Sequence, residues 1–417
     1  MKIVSVVGAR PNFMKIAPFV RAVDKYNGDL REKSAEPRAE KEINEEPETL
    51  NAEQVTHILV HTGQHYDDRM SHAFFEELNI PEADINLGIG SGSHAEQVGH
   101  TMIEFEKVLK EEKPDWVVVV GDVNATLACS VTAKKECTKC CHIEAGLRSG
   151  DLTMPEEINR LVTDRLSDLL LAPDELSIRN LRSEGVPESR IRFVGNIMID
   201  TLEANRTKAG LLEVEEIIKR NLIKEPTPDP SQEGNFEEIH TPGSYRKGSF
   251  AVLTIHRPSN VDKQEVFEPI VKFLLNEVAR DMVLLWPLHP RTRKQLKESG
   301  LMEEVKRKPN IILLEPLGYL DMLKLNMEAQ MILTDSGGLQ EECTVLGTPC
   351  ITLRWNTERP VTLKEHGGVS VLVGNNIDRI REEYHSALTR KRSPVRPELW
   401  DGHTAERCLR AIIEYGR

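Results

Sequence analysis

The 417-residue sequence has no long hydrophobic run, and its purely apolar stretches are as short as VVVV at 117–120 and LLLA at 169–172. A membrane-spanning helix needs about 20 apolar residues, so neither stretch is long enough. The N-terminal MKIVSVVGARP also lacks the apolar region and small-residue cleavage site of a signal peptide. These features predict a cytosolic protein without a membrane span.

Acidic residues outnumber basic ones, 67 to 54, and the chain has only seven cysteines. The net charge is -13, and no basic stripe interleaved with aromatic residues is present, which argues against nucleic-acid binding. Of the seven cysteines, only CTKCC at 137–141 forms a cluster, and a second pair at zinc-site spacing is missing. We therefore expect reduced thiols and no metal site.

Short strand-like runs alternate with longer helix-like stretches, which is typical of an α/β fold with parallel sheets. The pattern predicts two Rossmann-like, doubly wound domains that face a cleft, each with six strands. Residues 1–195 form the first domain, with a charged insertion at 31–53, and residues 402–417 complete it with a helix capped by Asp401. Residues 196–401 form the second, with a Pro- and Gly-rich insertion at 225–248. The predicted strands are 2–8, 56–63, 115–122, 139–146, 169–173, 191–196, 250–256, 282–290, 310–316, 330–338, 349–354 and 369–374.

The stretch LTDSGGLQEE at 333–342 places glycines between a predicted strand and a predicted helix. The bare backbone of Ser336, Gly337 and Gly338 lets a ligand approach closely, and a helix N-terminus attracts an anion. Glu342 lies one turn deeper, where a carboxylate suits a ribose diol. A nucleoside diphosphate satisfies both features; the alternative is an ordinary glycine-rich turn.

Charged residues follow several other predicted strands. GARPNFMK lacks the G-x-G-x-x-G dinucleotide fingerprint and instead places Arg10 and Lys15 after the first strand, either as diphosphate ligands or as surface charges. Asp122 and Glu144 also end strands, where an unpaired carboxylate is costly to bury. Alternatively, Asp122 caps a helix.

The stretch MPEEINR at 154–160 offers two further acids, Glu156 and Glu157. Either acid of this pair can be the functional one. The structural alternative is an ion pair between Glu157 and Arg160.

The second half contains two histidines at strand ends, each followed by arginine. His256 and Arg257 belong to TIHRPSN, and His289 belongs to PLHPRTRK. A single such histidine is more often structural, whereas two in corresponding positions favour a functional role, with His256 as a donor to a phosphate or a departing diphosphate. Arg359 in NTERPVT follows a later strand at the same expected edge.

In order along the chain, GARPNFMKIAP, GDVNAT, HIEAGLRS, MPEEINR, HRPSN, LTDSGGLQEE and TERP resemble the non-hydrolysing UDP-N-acetylglucosamine 2-epimerases. The resemblance implies a glycosyltransferase-B-like pair of domains, a cytosolic homodimer in polysaccharide biosynthesis, and interconversion of UDP-N-acetylglucosamine and UDP-N-acetylmannosamine without a cofactor. It implies catalytic or substrate-contacting roles for Arg10, Lys15, Asp122, Glu144, Glu156 and His256. It implies nucleotide binding by Ser336, Gly337, Gly338, Glu342, Arg359, Leu317 and Met322, with Arg257 and His289 as further binding candidates.

The chain departs from the family pattern in two places. Asn12 stands where the family often has Glu, and Tyr66 and Asp67 replace residues usual in members that bind a second, activating UDP-N-acetylglucosamine. Gln64, His65 and Arg69 of that segment are retained.

The C2 proton of an N-acetylhexosamine is not acidic, so its removal requires help from the rest of the molecule. Departure of UDP from C1 provides that help, whereas oxidation by NAD would need a glycine fingerprint that neither half contains. The alternatives are an epimerase of a related UDP-diacetamido-uronic acid, a UDP-sugar glycosyltransferase, a hydrolysing relative and a non-catalytic UDP-sugar sensor. Retention of Asp122, Glu144 and Glu156 argues against the sensor.

Overall fold

The computed structural model describes residues 1–8, 10–35, 54–63, 82–223 and 245–416. The chain forms two compact units, the first comprising Met1–Thr201 with Glu398–Arg417 and the second comprising Leu202–Pro397. The expected division lay after residues 195 and 401. The chain thus leaves the first unit once and returns to it for its last helix.

The first unit contains a parallel sheet of seven strands among the described residues, in the order β3-β2-β1-β4-β5-β6-β7. The strands are β1 (Lys2–Val7), β2 (Thr56–His61), β3 (Ile85–Asn86), β4 (Trp116–Val120), β5 (Lys139–Ile143), β6 (Leu169–Ala172) and β7 (Ile191–Phe193). The helices are α1 (Arg10–Ala35), α2 (His94–Glu112), α3 (Asn124–Lys135), α4 (Pro155–Leu166), α5 (Glu175–Ser183) and α6 (Ile197–Gly210), which runs into the second unit. The strand order reverses between β1 and β4, as in doubly wound nucleotide-binding folds.

Central strands of this sheet are apolar on both faces, because helices cover each side. Val4 of β1 lies opposite Ile58 of β2 and Val117 of β4, and Val4 and Val117 are fully buried. On one face, Phe105 of α2 packs with these strands. The packed sheet therefore fixes where each strand ends, and with it the residues that follow.

The second unit repeats this design with a six-stranded parallel sheet in the order β10-β9-β8-β11-β12-β13. Its strands are β8 (Phe250–Thr254), β9 (Val283–Pro287), β10 (Ile311–Leu314), β11 (Met331–Thr334), β12 (Cys350–Thr352) and β13 (Ser370–Leu372). Its helices are α7 (Val214–Asn221), α8 (Pro258–Val261), α9 (Gln264–Phe273), α10 (Ala279–Asp281), α11 (Pro290–Glu298), α12 (Met302–Lys306), α13 (Tyr319–Glu328), α14 (Gly337–Leu346) and α15 (Ile377–Leu388), while α16 (Thr404–Gly416) belongs to the first unit. A π-helical turn, Leu274–Val278, joins α9 to α10, and short 3-10 turns occur at Glu188–Arg190, Pro360–Thr362 and Lys364–His366.

The two parallel sheets with intervening helices confirm the predicted α/β class, and each predicted strand is present. The edge strand β3 was not predicted, because two residues carry no periodic signal. Residues 31–35 end α1, although the first insertion was expected to start at 31. Tyr245, inside the expected second insertion, is buried in the core of the second unit. Residues 36–53 and 224–244 lie outside the described residues.

The expected N-cap of the last helix was wrong. Helix α16 begins at Thr404, so Asp401 lies too early; its carboxylate accepts instead from His403 N at 3.1 Å. The first two helical N–H groups donate to Asp200, at 3.0 Å from Thr404 and 2.7 Å from Ala405. The Asp200 carboxylate from α6 thus accepts from the N–H groups at the start of α16, where a residue next to the helix was expected to do so.

Within the described residues, no helix is both long enough and apolar enough to cross a membrane. Cys140 and Cys141 are buried in β5, whereas Cys137 is exposed just before it.

Candidate active site

Lys15 and Glu144 form a buried ion pair in the first unit. Lys15 lies in α1, just after β1, and Glu144 directly follows β5. The Lys15 Nζ donates to Glu144 Oε2, and the two side chains are only 7% and 2% exposed. A buried charge is expensive without a partner, so the two side chains hold each other at this edge of the sheet. Arg10 is the first residue of α1, and its side chain lies outside the described part of the chain.

The backbone around this pair is unusual. Glu144 has φ +71°, a left-handed conformation that non-glycine residues rarely adopt. Gly121 faces the same pair, and a Cβ on it would lie 2.9 Å from Lys15 Nζ. Strained backbone of this kind is concentrated at functional sites.

The other oxygen of Glu144, Oε1, is buried and has no hydrogen-bond partner among the described residues. Desolvated and unmatched, this oxygen can accept a proton or a hydrogen bond from a ligand.

Asp122, Arg160 and Glu157 form a second ionic cluster next to this pair. Arg160 Nη1 donates to Asp122 Oδ2, and Arg160 Nη2 lies 2.5 Å from Glu157 Oε2. Glu157 also accepts from Ser149 N at 3.0 Å and Gly150 N at 2.9 Å. The Glu157 carboxylate therefore accepts from donors on both oxygens, and its predicted ion pair with Arg160 is present. Asp122 keeps 24% of its side chain exposed.

Glu156 precedes Glu157 in the first turn of α4 and is partly exposed. Because the Glu157 carboxylate is already hydrogen-bonded to these donors, Glu156 is the acid of this pair that is available for catalysis. Its catalytic role stays a prediction.

In the second unit, His256 follows β8 and is held by Asp335, which follows the adjacent strand β11. The His256 Nδ1 lies 2.9 Å from Asp335 Oδ1. Asp335 Oδ2 also accepts from Arg257 N at 2.8 Å and from Asn260 Nδ2 at 3.1 Å. Although burial works against ionisation, these bonds hold the pKa of Asp335 below its usual value. An ionised Asp335 thus orients His256, whose side chain is 40% exposed.

The other candidates near β8 to β10 have mainly structural contacts. His289 caps α11, and its Nδ1 accepts from Arg291 N at 3.2 Å, so the ring proton lies on Nε2. The His256 and His289 ring centroids are 5.3 Å apart. Arg257 donates from Nε to Asp335 O at 2.9 Å. Leu317, two residues before α13, and Met322, in its first turn, pack against the apolar core.

The stretch Ser336-Gly337-Gly338 begins α14 directly after β11, as the glycine pattern predicted. A Cβ on Gly337 would lie 2.6 Å from Glu358 Oε1 and 2.8 Å from Arg359 Nη1. The absence of a side chain at Gly337 therefore leaves room for the side chains of Glu358 and Arg359.

Arg359 is held by two buried carboxylates. Its Nε lies 2.8 Å from Glu341 Oε1, and its Nη1 donates to Glu358. Glu358 in turn accepts from Arg354 Nη2 at 2.6 Å. Alternating charges thus place a guanidinium beside the free N–H groups of a helix start, an arrangement suited to an anion.

Glu342 lies in the middle of α14 and is only 4% exposed. Burial raises the pKa of its carboxyl to about 7, and the charge of Glu341 adds to the effect, while hydrogen bonds from Tyr319 and Asn326 oppose it. A carboxyl with this pKa binds a proton more readily in the folded chain than in the unfolded one, where the usual value is 4.5. Its contribution to stability is therefore complete below pH 4.5 and is lost as the pH rises through 7.

Glu342→Gln is expected to stabilise the unliganded protein at pH 8 by up to about 3 kcal/mol, and by less than about 1 kcal/mol at pH 5. Glutamine never ionises, so it removes the cost of a buried charge only where that charge exists. Urea unfolding at both pH values measures the difference. Exposed Glu111→Gln serves as the control and should change stability equally at both. A Glu342→Gln effect independent of pH would contradict the raised pKa.

Two parts of this arrangement were not singled out from the sequence. Asp335 sits inside the quoted LTDSGG stretch at the end of a buried strand. The same signal identified Asp122, so Asp335 could have been singled out from the sequence. His142 lies inside β5, and Asp164 lies near the end of α4; their 2.6 Å contact follows only from the packing of α4 on the sheet. The activating segment with Gln64, His65, Tyr66, Asp67 and Arg69 lies outside the described residues.

The first unit thus contains a desolvated carboxylate, a second acid and a buried cation. The second unit contains a glycine-rich helix start and an imidazole oriented by a carboxylate. The family model described as UDP-N-acetylglucosamine 2-epimerase matches residues 48–413. The UDP-N-acetylglucosamine 2-epimerase of Methanocaldococcus jannaschii is 38% identical over 418 residues, covering 100% of both chains. The UDP-2,3-diacetamido-2,3-dideoxy-D-glucuronate 2-epimerase of Pseudomonas aeruginosa is 35% identical, covering 93% of this chain and 92% of that protein.

The crystal structure of the M. jannaschii enzyme in complex with UDP-GlcNAc and UDP has a TM-score of 0.80 to this chain. It covers 99% of this chain and 100% of its own, at 38% identity. The similarity in sequence and in fold extends over nearly the whole length of the chain. The chain therefore belongs to the UDP-N-acetylglucosamine 2-epimerase family and is an isomerase.

Proposed function

We propose that the chain interconverts UDP-N-acetylglucosamine and UDP-N-acetylmannosamine by elimination and re-addition of UDP. The observation that carries the proposal is the desolvated Glu144 carboxylate, held by Lys15 on a strained backbone beside Asp122. The similarity to an M. jannaschii enzyme crystallised with UDP-GlcNAc and UDP supports the choice of substrate.

In the proposed reaction, the bond between C1 and the oxygen of the β-phosphate breaks, and UDP leaves with the electron pair. A carboxylate of the first unit takes the C2 proton, so the C1–C2 double bond of 2-acetamidoglucal forms. Return of a proton to the opposite face of C2 and attack of the UDP oxygen on C1 complete the inversion. Two proton-handling groups are needed, and Asp122, Glu144 and Glu156 are the candidates.

The second unit has the features needed to keep UDP bound while it is detached. The helix start at Ser336, Gly337 and Gly338, together with Arg359, is proposed to bind the diphosphate. Glu342 is proposed to accept from the ribose hydroxyls, and backbone at Leu317 and Met322 to contact the uracil. His256, oriented by Asp335, is proposed to donate to the departing phosphate. Negative charge that develops on the leaving group is thus met by fixed donors.

An NMR assay of the purified protein with UDP-N-acetylglucosamine in heavy water tests the proposal. UDP-N-acetylmannosamine should appear without an acceptor sugar, and deuterium should accumulate at C2 of both epimers. Accumulating free UDP and N-acetylmannosamine would indicate a hydrolysing enzyme instead. Product that keeps its original C2 hydrogen in every molecule would contradict exchange through a carboxylate.

The relative from P. aeruginosa supports a second candidate substrate, a UDP-2,3-diacetamido-uronic acid. Comparing kcat/KM for the two nucleotides decides between them, and we expect the N-acetylglucosamine nucleotide to be preferred. A cytosolic homodimer is the state that the family resemblance predicts, and sedimentation of the purified chain would test the dimer.

A further inference from the structure

A buried pair, His142 and Asp164, lies beneath the turns that carry Asp122 and Glu144. His142 belongs to β5 and Asp164 to α4, and their side chains are 0% and 1% exposed. The Nδ1 of His142 lies 2.6 Å from Asp164 Oδ1. Neither residue reaches the surface at which a substrate binds, so neither is placed to touch the reacting atoms.

Each member of the pair bonds to the backbone of a different turn. The Nε2 of His142 donates to Gly121 O at 2.9 Å, and Gly121 directly precedes Asp122. The second oxygen of Asp164, Oδ2, accepts from Gly146 N at 2.9 Å, two residues after Glu144. One hydrogen-bonded chain therefore runs from the turn after β4 to the turn after β5.

Both turns contain left-handed backbone. Gly121 has φ +69°, Glu144 has φ +71° and Gly146 has φ +85°. A left-handed conformation at Glu144 is unfavourable and persists only where surrounding contacts enforce it. The pair supplies two of these contacts, one on each side of the candidate carboxylates.

The hydrogen-bond partners of the pair indicate which of its atoms carry protons. Gly121 O is only an acceptor, so Nε2 must carry a proton, and Nδ1 faces a carboxylate. Burial opposes ionisation, but His142 and Arg148, whose Nη1 lies 2.7 Å from Asp164 Oδ2, hold the pKa of Asp164 below its usual value. Both oxygens of Asp164 are thus engaged, Oδ1 by His142 Nδ1 and Oδ2 by Gly146 N and Arg148 Nη1.

We propose that His142 and Asp164 are positioning residues that set the spacing between the carboxylates of Asp122 and Glu144. This inference rests on the proposed function, because it assigns those carboxylates to the reaction. A misplacement of about 1 Å at a reacting group can lower the rate about 100-fold. The pair therefore acts on kcat through geometry and leaves nucleotide binding by the second unit unaffected.

Asp164→Asn and Asp164→Ala test the proposal because the first keeps hydrogen-bonding atoms in the place of the carboxylate and the second removes them. In the Asn variant, Oδ1 accepts from Gly146 N and Nδ2 donates to His142 Nδ1, while His142 still donates from Nε2 to Gly121 O. Every bond of the bridge is thus kept without the charge of the carboxylate. In the Ala variant, the link between the turns is lost.

We expect Asp164→Asn to keep kcat within about fivefold of the wild type, and Asp164→Ala to lose about 100-fold in kcat with KM within about threefold. Each is assayed with UDP-N-acetylglucosamine below its thermal midpoint, so that only folded protein contributes. If the Ala variant does not fold, Asp164→Leu replaces it, because leucine fills the space without a polar atom.

If Asp164 contributed only to stability, the folded Asn and Ala variants would have the same kcat. Recovery of kcat in the Asn variant therefore indicates a positioning role. An Asn variant as slow as Ala or Leu overturns the inference, and so does wild-type kcat in Ala or Leu. A wild-type chain that does not epimerise overturns the proposed function instead, so the two failures are distinguishable.

Discussion

Glu144→Gln is expected to lower kcat for epimerisation by at least about 10³-fold while the Kd for UDP stays within about threefold. The amide of glutamine has nearly the shape of the carboxylate but cannot take a proton from C2. UDP is proposed to bind the second unit, whereas Glu144 belongs to the first. Single-turnover rates by NMR and UDP titration by calorimetry measure the two quantities separately.

The ion pair with Lys15 complicates this experiment, because glutamine leaves a buried ammonium without its counter-charge. Breaking a buried pair in this way costs about 3–5 kcal/mol of stability. The double variant Lys15→Met/Glu144→Gln removes both charges and is the matched control. It should recover the thermal midpoint without recovering turnover. If turnover returns with stability, Glu144 has a structural role and the proton-transfer assignment is wrong.

The fold was predictable from the sequence because buried parallel strands are apolar on both faces. VVVV at 117–120 is such a strand, and it lies at the centre of the first sheet as β4. Strand β3 was not predictable, since Ile85–Asn86 has only two residues and its pairing with β2 depends on tertiary position. The cap of α16 failed for a related reason: Asp200 is distant in sequence and reaches the helix only in the folded unit.

Candidate residues at strand ends were predictable, because parallel strands bring their carboxyl ends to one edge of a sheet. Lys15 and Glu144 were both identified in this way, but their direct contact depends on the α1 packing and on the left-handed turn at Glu144. The supporting residues were harder to predict. Asp335 and Asp164 act by accepting hydrogen bonds from residues far along the chain, and no local spacing records such partnerships.

The glycines of the 336–338 turn were interpreted as leaving room for a ligand. At Gly337, side chains of the protein itself also use this room. Glu358 Oε1 and Arg359 Nη1 take the space that a Cβ would fill. Both are the far ends of side chains, so they can yield without moving the backbone. A methyl group at this position would therefore displace the guanidinium more than it would disturb the fold.

Gly337→Ala is accordingly expected to weaken UDP binding by about 30-fold, the loss of roughly 2 kcal/mol from a charged hydrogen bond. The free energy of unfolding should change by less than about 1 kcal/mol, since alanine favours the helix while the displaced ion pairs oppose it. Calorimetric titration with UDP and urea unfolding separate the two effects.

Gly99→Ala is the matched control, because Gly99 lies inside α2 and a Cβ on it would have no neighbouring atom of the described residues within 4 Å outside its own helix turn. It should leave UDP affinity unchanged and stabilise the chain by up to about 1 kcal/mol. Unchanged UDP affinity in Gly337→Ala would mean that Arg359 does not contact the diphosphate. The bare backbone at 337 would then serve the packing of Glu358 and Arg359 alone.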